Sequence, residues 1–440
     1  MNEGNPVAAL NNPRTIRAWC MYDWANSVYN LVITSAIFPI YFKAVTRQNG
    51  SDDVLFLGYT IKNSILYTYA LSFSFLIVAL ILPLLSGIAD YTGRKKFFMK
   101  IFVFIGGVAC MGLFFFKDST DLPWGIFCSV VASIGYSGSL VFYDAFLPEI
   151  VSEDRYDATS ARGYSMGYYG GVVLMVICLA MILNFAAFGF ESDGQATRFS
   201  FLLTGIWWIG FSVIPFHILE DHPYGKKASG NVLTKGYEEL RKVWKSLGHS
   251  PQLKRYLWAF FFFNMGVQAV MYLAQFFGTD ELKMEESKLI ATVLIIQLVG
   301  ALGAWSFARL SQRIGNKKTL VILISIWVGI CMYAYFITNE YQFYALAFLV
   351  GLVMGGIQAL SRATYTKLLP KNTIDHASYF SFYDVTFNLS IVFGTFSYGF
   401  INQITGSMRY SVLALGLFFI IGFLFLTAVK SKKIDTAVTQ

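Results

Sequence analysis

The chain is predicted to be an all-α membrane protein of twelve transmembrane helices, folded as two pseudo-symmetric six-helix halves. Three observations predict this. Apolar runs of about 20 residues recur along most of the chain, each long enough to cross a hydrocarbon core of about 30 Å. Basic residues gather in alternate loops. Two landmarks of the first half return in the second at one shared offset. The composition agrees: 56% of the 440 residues are hydrophobic and only 14% are charged, whereas soluble domains carry about a quarter charged residues.

The elements follow in order. Residues 1–15 are polar and lack the short apolar core of a cleavable signal peptide. Span one, about 16–43, carries Asp23, Asn26, Ser27, Asn30 and Thr34, a spacing that puts them on one helix face. Span two, about 63–89, leads into a basic loop, and span three, about 97–116, is almost free of large polar side chains. Span four, about 123–148, holds Ser129, Ser133, Ser137 and Asp144 and ends at Leu147-Pro148-Glu149. Span five, about 160–189, has Gly163, Gly167, Gly170 and Gly171, small residues that let helix backbones approach closely. Span six, about 200–218, is apolar from Phe201 to Phe216.

The longest polar stretch, 219–252, divides the chain into halves 1–218 and 253–440. Within it, residues 232–247 have the pattern of an amphipathic helix, either lying on the membrane surface or forming a solvated linker. Span seven, about 254–278, carries Asn264, Gln268, Tyr272 and Gln275 on one stripe. Span eight, about 287–310, has Gly300, Gly303 and Ala304, and span nine is placed at about 318–338. Span ten, about 342–369, carries Gln358, Ser361, Arg362 and Tyr365 on one stripe. Span eleven, about 376–402, contains Asp384, and span twelve, about 410–430, is apolar from Leu413 to Val429.

Charge sets the orientation. With the N-terminus inside, the inner loops, tails and adjoining span ends hold 25 of the 34 Lys and Arg, the outer loops hold 8, and Arg362 lies within a span. The outer loops are acidic instead, with Asp52, Asp53, Asp118, Asp121, Glu191, Asp193, Glu281, Glu285 and Glu286. The asymmetry predicts both termini in the cytoplasm and a multi-pass protein. It also explains the net charge of +8 as a topology signal, with no nucleic-acid partner expected.

The repeat is specific. Gly87-Ile-Ala-Asp90-Tyr-Thr-Gly93-Arg94-Lys95-Lys96 follows span two, and Arg309-Leu-Ser-Gln312-Arg-Ile-Gly315-Asn316-Lys317-Lys318 follows span eight, an offset of 222 residues. Leu147-Pro148 and Leu369-Pro370 share that offset of 222. The second copy has Gln312 in place of Asp90 and Asn316 in place of Arg94, which predicts that a charge-based latch lies mainly in the first half. Duplicated six-helix halves are a transporter architecture, with the substrate site between them near the midplane. Spans one, four, seven and ten carry the polar stripes, so four symmetric helices are predicted to surround one cavity. The alternative for any single residue is an ordinary interhelical hydrogen bond.

The motif Gly87-xx-Asp90-xx-Gly93-Arg94-Lys95-Lys96, in a twelve-span repeat, resembles the signature of the major facilitator superfamily. Met21-Tyr-Asp-Trp-Ala-Asn-Ser27, Phe146-Leu-Pro-Glu149, Gln358-Ala-Leu-Ser-Arg362 and Phe382-Tyr-Asp384 look like the bacterial relatives of the fungal vacuolar (autophagy-related) amino-acid effluxers. The resemblance implies the superfamily fold, alternating access and a bacterial inner (plasma) membrane location. It further implies that Asp90 meets the N-terminus of span eleven and that Arg94 pairs with an acid ending span four. Glu149 is the first candidate for that acid and Asp144 the second. Gly87, Asp90, Gly93, Arg94 and Glu149 form the expected cytoplasmic gate. The alternative is that the basic cluster only sets topology.

Asp23, Asp144, Arg362 and Asp384 are ionisable residues within spans, each costly in lipid by roughly 2.5–3.5 kcal/mol and therefore suspected of function. Arg362 keeps its charge and needs a carboxylate partner or an anionic substrate group. Asp23 is the candidate for the substrate's ammonium or for the coupling proton. A structural Asp23–Arg362 pair is the competing reading. Asp384 is expected at the interface of the halves.

The expected function is secondary active transport of a small solute, an amino acid or similar zwitterion, with protons as the candidate coupling ion. Alternatives are a proton-coupled exporter of drugs, sugars or peptides, and a ligand sensor that transports nothing. A membrane enzyme is disfavoured because the four His (217, 222, 249, 376) sit at span edges and form no nucleophile–base set. No ATP-binding GxxxxGK[ST] or GxGxxG motif occurs, so neither a pump nor a cofactor is expected. No metal site is expected. The five cysteines (20, 110, 128, 178, 331) all lie in apolar segments without CxxC pairing, as free buried thiols. The bilayer and a small-molecule substrate are the expected partners, and the chain is expected to be a monomer.

Overall fold

The computed structural model describes residues 10–47, 50–221, 232–371 and 373–430. Among them, twelve long helical segments follow the predicted order. Spans one to six are Pro13–Thr46, Asn63–Thr92, Lys95–Gly112, Leu122–Asp144, Tyr156–Leu183 and Asp193–Ile218. Spans seven to twelve are Pro251–Phe276, Glu286–Ile314, Asn316–Phe336, Glu340–Leu368, His376–Thr405 and Met408–Thr427. Ten are long and apolar enough to cross a membrane. The other two, seven and eleven, carry buried polar residues, Asn264 and Gln268 on one and Asp384 and Asn388 on the other.

Sequence determines which faces are covered. Phe104 and Ile105 of span three, Ile206 and Val213 of span six, Met332 and Phe336 of span nine, and Leu417 and Leu424 of span twelve are exposed, as helices turned toward lipid require. The glycines of span five are packing seams. Gly167 and Gly170 lie against Ser27 and Trp24 of span one. The repeat shows in the backbone as well: Gly93 and Gly315 both stop their helices with positive φ, 67° and 90°.

Three local features depart from the sequence reading. Span one is π-helical from Tyr29 to Ala36, a winding often found at functional sites. The first outer loop forms a hairpin, β1 Asp53–Phe56 paired antiparallel with β2 Tyr59–Lys62. Its turn residues, Leu57 and Gly58, both have positive φ, 50° and 85°, as a two-residue hairpin turn demands. The usual Asn-Gly or Asp-Gly signal is missing there, so the sequence suggested only a loop.

The third is the linker helix, Val232–His249; residues 222–231 lie outside the described residues. The helix packs across spans two and eleven, with Val243 and Leu247 buried. A Cβ on Gly87 would sit 2.3 Å from the Gly236 carbonyl oxygen. The first glycine of the motif therefore permits this docking. Lys242 donates to Asp375 at 2.9 Å, the hydroxyls of Ser246 and Tyr379 are 2.8 Å apart, and Trp244 lies 5.5 Å from the ring of Phe382.

Candidate functional site

Between the halves lies a cavity of about 1120 Å³, measured out to its open mouth. Span one lines it with Asp23, Asn26, Ser27, Asn30 and Thr34, the predicted stripe. Span four contributes Ser133, Ser137 and Asp144, span seven Gln268 and Tyr272, and span ten Gln358 and Arg362. Two predicted members, Asn264 and Tyr365, do not join them as cavity-lining side chains. Asn264 turns into the second half, where it donates to Ser390 and accepts from Gln268. Tyr365 is fully buried, donates to the Tyr379 carbonyl and packs against the rings of Phe380, edge-on, and Tyr383, tilted. Helical spacing fixes which residues share a stripe, but not how wide the wet part of that stripe is. Gln275's side chain lies outside the described residues. Asp384, expected at the interface of the halves, lines the cavity between them from span eleven.

Arg362 anchors the cavity floor. Its Nη1 donates to Asp144 at 3.0 Å, its Nη2 to Asp23 at 3.3 Å and to the Ser160 carbonyl at 3.0 Å, and its Nε to Ser160 Oγ at 2.9 Å. The guanidinium lies 4.3 Å from the ring of Tyr164 and 4.7 Å from that of Trp19, within cation–π range. Tyr143 donates its hydroxyl to Asp23 at 2.6 Å. Arg362 is 2% exposed, so the pair is buried, and it joins spans one and four of the first half to span ten of the second. Gly163 makes room for it: a Cβ there would meet Asp23 Oδ2 at 2.2 Å and Arg362 Nη2 at 3.0 Å.

Bonds between the halves gather from this level to the basic end. Tyr168 donates to Gln358 at 2.6 Å, Ser165 to the Ala301 carbonyl at 3.1 Å and Ser160 to the Ala359 carbonyl at 2.8 Å. At the end of span two, Asp90 accepts from the backbone N–H of Ala377 at 3.1 Å and Ser378 at 2.7 Å. These are free donors in the first turn of span eleven, so Asp90 caps a helix of the opposite half.

Glu149 accepts from Lys95, and His376 Nδ1 lies 2.8 Å from it. Arg94, the expected partner of Glu149, is exposed, while the neighbouring Lys95 is turned inward and buried. Asp144, the second choice for Arg94, is committed to Arg362.

The degraded second copy of the motif is not idle. Asp157, in the first turn of span five, accepts from Ser311 at 3.0 Å, Asn316 at 2.7 Å and Lys367 at 2.8 Å. Lys367 and Asp157 are both 3% exposed. A second bridge therefore exists, with its acid supplied by the helix being held instead of by the motif. The sequence reading missed it because Gln312 and Asn316 looked like losses. Lys95, Ser160, Tyr143, Tyr164 and Tyr168 were missed as well. Tyr164 and Tyr168, four apart beside the span-five glycines, were the available signal.

The family model described as "Vacuole effluxer Atg22 like" matches residues 11–437. The uncharacterised MFS-type transporter YxiO of Bacillus subtilis is 33% identical over 428 residues, which are 96% of each chain. Autophagy-related protein 22 of Kluyveromyces lactis is 23% identical, covering 93% of this chain and 92% of its own. Among solved structures, the transporter FucP in its outward conformation superposes with TM-score 0.70 at 14% identity, over 96% of this chain and 99% of its own. The proton:xylose symporter XylE gives TM-score 0.70 at 13% identity, over 97% and 98%. At such identities these two speak for the fold alone.

Proposed function

This chain belongs to the Atg22-like vacuole effluxer family and is a transporter of the major facilitator superfamily, and on that premise we propose that it carries a small zwitterion, such as an amino acid, coupled to protons. The observation that carries the reading is the Arg362–Asp23–Asp144 group beneath a polar cavity between the halves. Arg362 is the buried cation there, and two carboxylates hold it. A substrate carboxylate binds by displacing one of them, and Asp144, 13% exposed against 7% for Asp23, is the easier to displace. The side-chain amide of Asn26, on the cavity wall one turn from Asp23, supplies a further donor. The freed carboxylate then faces the substrate's ammonium. An acid-rich cavity of this kind favours an amino group over a neutral sugar.

The gathered bonds at the basic end support an outward-facing state, with Asp90, Glu149 and Asp157 as the cytoplasmic seal. The positive-inside distribution supports cytoplasmic termini in a bacterial inner membrane. Alternating access follows when the seal parts and the outer ends close. The test is counterflow in proteoliposomes preloaded with a mixture of unlabelled amino acids. Labelled amino acid should accumulate several-fold above protein-free vesicles. Counterflow with peptides or sugars but not amino acids would reassign the substrate. No counterflow with any of these probes, alongside thermal stabilisation by one, would make the protein a sensor.

A further inference from the structure

Three carboxylates line the cavity, and they are not equivalent. Asp23 and Asp144 share Arg362, and Asp23 also accepts from Tyr143. Asp384, on span eleven, is 7% exposed, and its carboxylate accepts from Asn388 Nδ2 at 2.7 Å, one turn along the same helix. Among the described residues no ion pair includes it.

Its surroundings explain why. From span four it faces Asp144, of like charge. Around its neighbour Tyr383 lie Tyr164 of span five, Tyr256 of span seven and Arg362, already shared by two acids. The carboxylate of span two, Asp90, is at the far end of that helix on the N–H groups of Ala377 and Ser378. The cation of span twelve, Arg409, is bonded to Glu281, and Lys242 of the linker helix to Asp375. Among the described residues, no cation forms an ion pair or hydrogen bond with Asp384, whose carboxylate bonds to Asn388. A carboxylate so placed is costly, and the ligand that relieves it is a proton or a substrate cation arriving through the cavity.

We infer that Asp384 is the group that carries the coupling proton. The inference rests on the carrier reading above and moves the proton from Asp23, which Arg362 and Tyr143 hold in place. One proton adds to the Asp384 carboxylate while the cavity faces outward. The O–H bond breaks, and the proton leaves to the cytoplasm, when the basic end opens. Asp23 and Arg362 remain the joint between the halves.

The first test needs no substrate. Dicyclohexylcarbodiimide adds to protonated carboxyl groups in apolar surroundings. The purified full-length protein in detergent should be modified at Asp384 at least five-fold more than at Asp23 or Asp144, read by peptide mass spectrometry, and more heavily as pH falls. Label on Asp23 or Asp144 with Asp384 unmodified would overturn the inference. The second test measures uptake of labelled amino acids into proteoliposomes, as accumulation driven by a pH gradient divided by counterflow. That ratio should fall at least ten-fold in Asp384→Asn and return in Asp384→Glu. An unchanged ratio in Asp384→Asn would overturn the inference. If the wild-type protein shows no counterflow at all, the carrier reading fails, while the labelling result still decides where the proton binds.

Discussion

Replacing Arg362 by Met removes the only described link between two cavity carboxylates and the second half. Four hydrogen bonds are lost: two to carboxylates at 3.0 and 3.3 Å, and two to Ser160 at 2.9 and 3.0 Å. Met fills most of the volume between the Trp19 and Tyr164 rings, so the loss is electrostatic more than steric. Breaking a buried pair by removing one partner costs about 3–5 kcal/mol, because the other charge stays behind. Here two charges stay behind, and Asp23 is the more buried of them. Asp23→Asn leaves Arg362 its bond to Asp144 and should cost about 1–3 kcal/mol. Adding Asp23→Asn to Arg362→Met should therefore recover part of the loss, where independent sites would add. The assay is reversible unfolding of the purified protein by SDS in mixed micelles, comparing midpoints of wild type, both single variants and the double. The reasoning is refuted if Arg362→Met falls within about 1 kcal/mol of wild type. It is refuted equally if the two single losses simply sum.

Asp90→Asn keeps one acceptor but removes the charge at the N-terminus of span eleven, a loss of about 0.3–1 kcal/mol and up to about 2 when partly buried. With the native cysteines all buried, an Ala359→Cys reporter behind the seal should react several-fold faster with a maleimide from the basic side in this variant; an unchanged rate would argue against the seal. Gly236→Leu places a side chain against Ile88, where even a Cβ would come within 2.5 Å. It should cost about 1–3 kcal/mol by overpacking, and amide exchange in residues 232–249 should rise; unchanged protection would show that docking is not tight. The hydrogen bond to Asp375 raises Lys242 above the ordinary lysine range. Its contribution is complete at neutral pH and is lost as pH climbs beyond about 10.4. Protection of the linker helix should fall there in wild type but not in Lys242→Met, which starts lower.

Much of this was legible because a membrane leaves few choices. Length and polarity give the spans, and the shared offset gives the halves. The span-one stripe from Asp23 to Thr34 lies on the cavity throughout, although a π-helical turn interrupts its winding. What the sequence withheld was the identity of partners. Arg94 and Lys95 are adjacent and alike, and only the packing of span three decides that Lys95 meets Glu149. Tyr365 shares Arg362's stripe, yet a difference of one turn takes it from the cavity to a carbonyl of span eleven. Asp384 falls on a helix that an every-third-helix rule excludes, so its place on the cavity wall was invisible to that rule.

The polarity of the bonds between the halves has a consequence for how such a chain is assembled. Asp23, Asp90, Asp144, Glu149, Glu153 and Asp157 all belong to the first half. Arg362, Lys367, Lys371, His376 and the N-terminus of span eleven, which answer them, all belong to the second. Two copies of the first half set face to face would oppose carboxylate to carboxylate, and like charges at close quarters reject a partner. The two halves of the duplicated chain are thereby complementary in charge to each other and not to themselves. Made as two separate polypeptides, each half would select the other and refuse its twin.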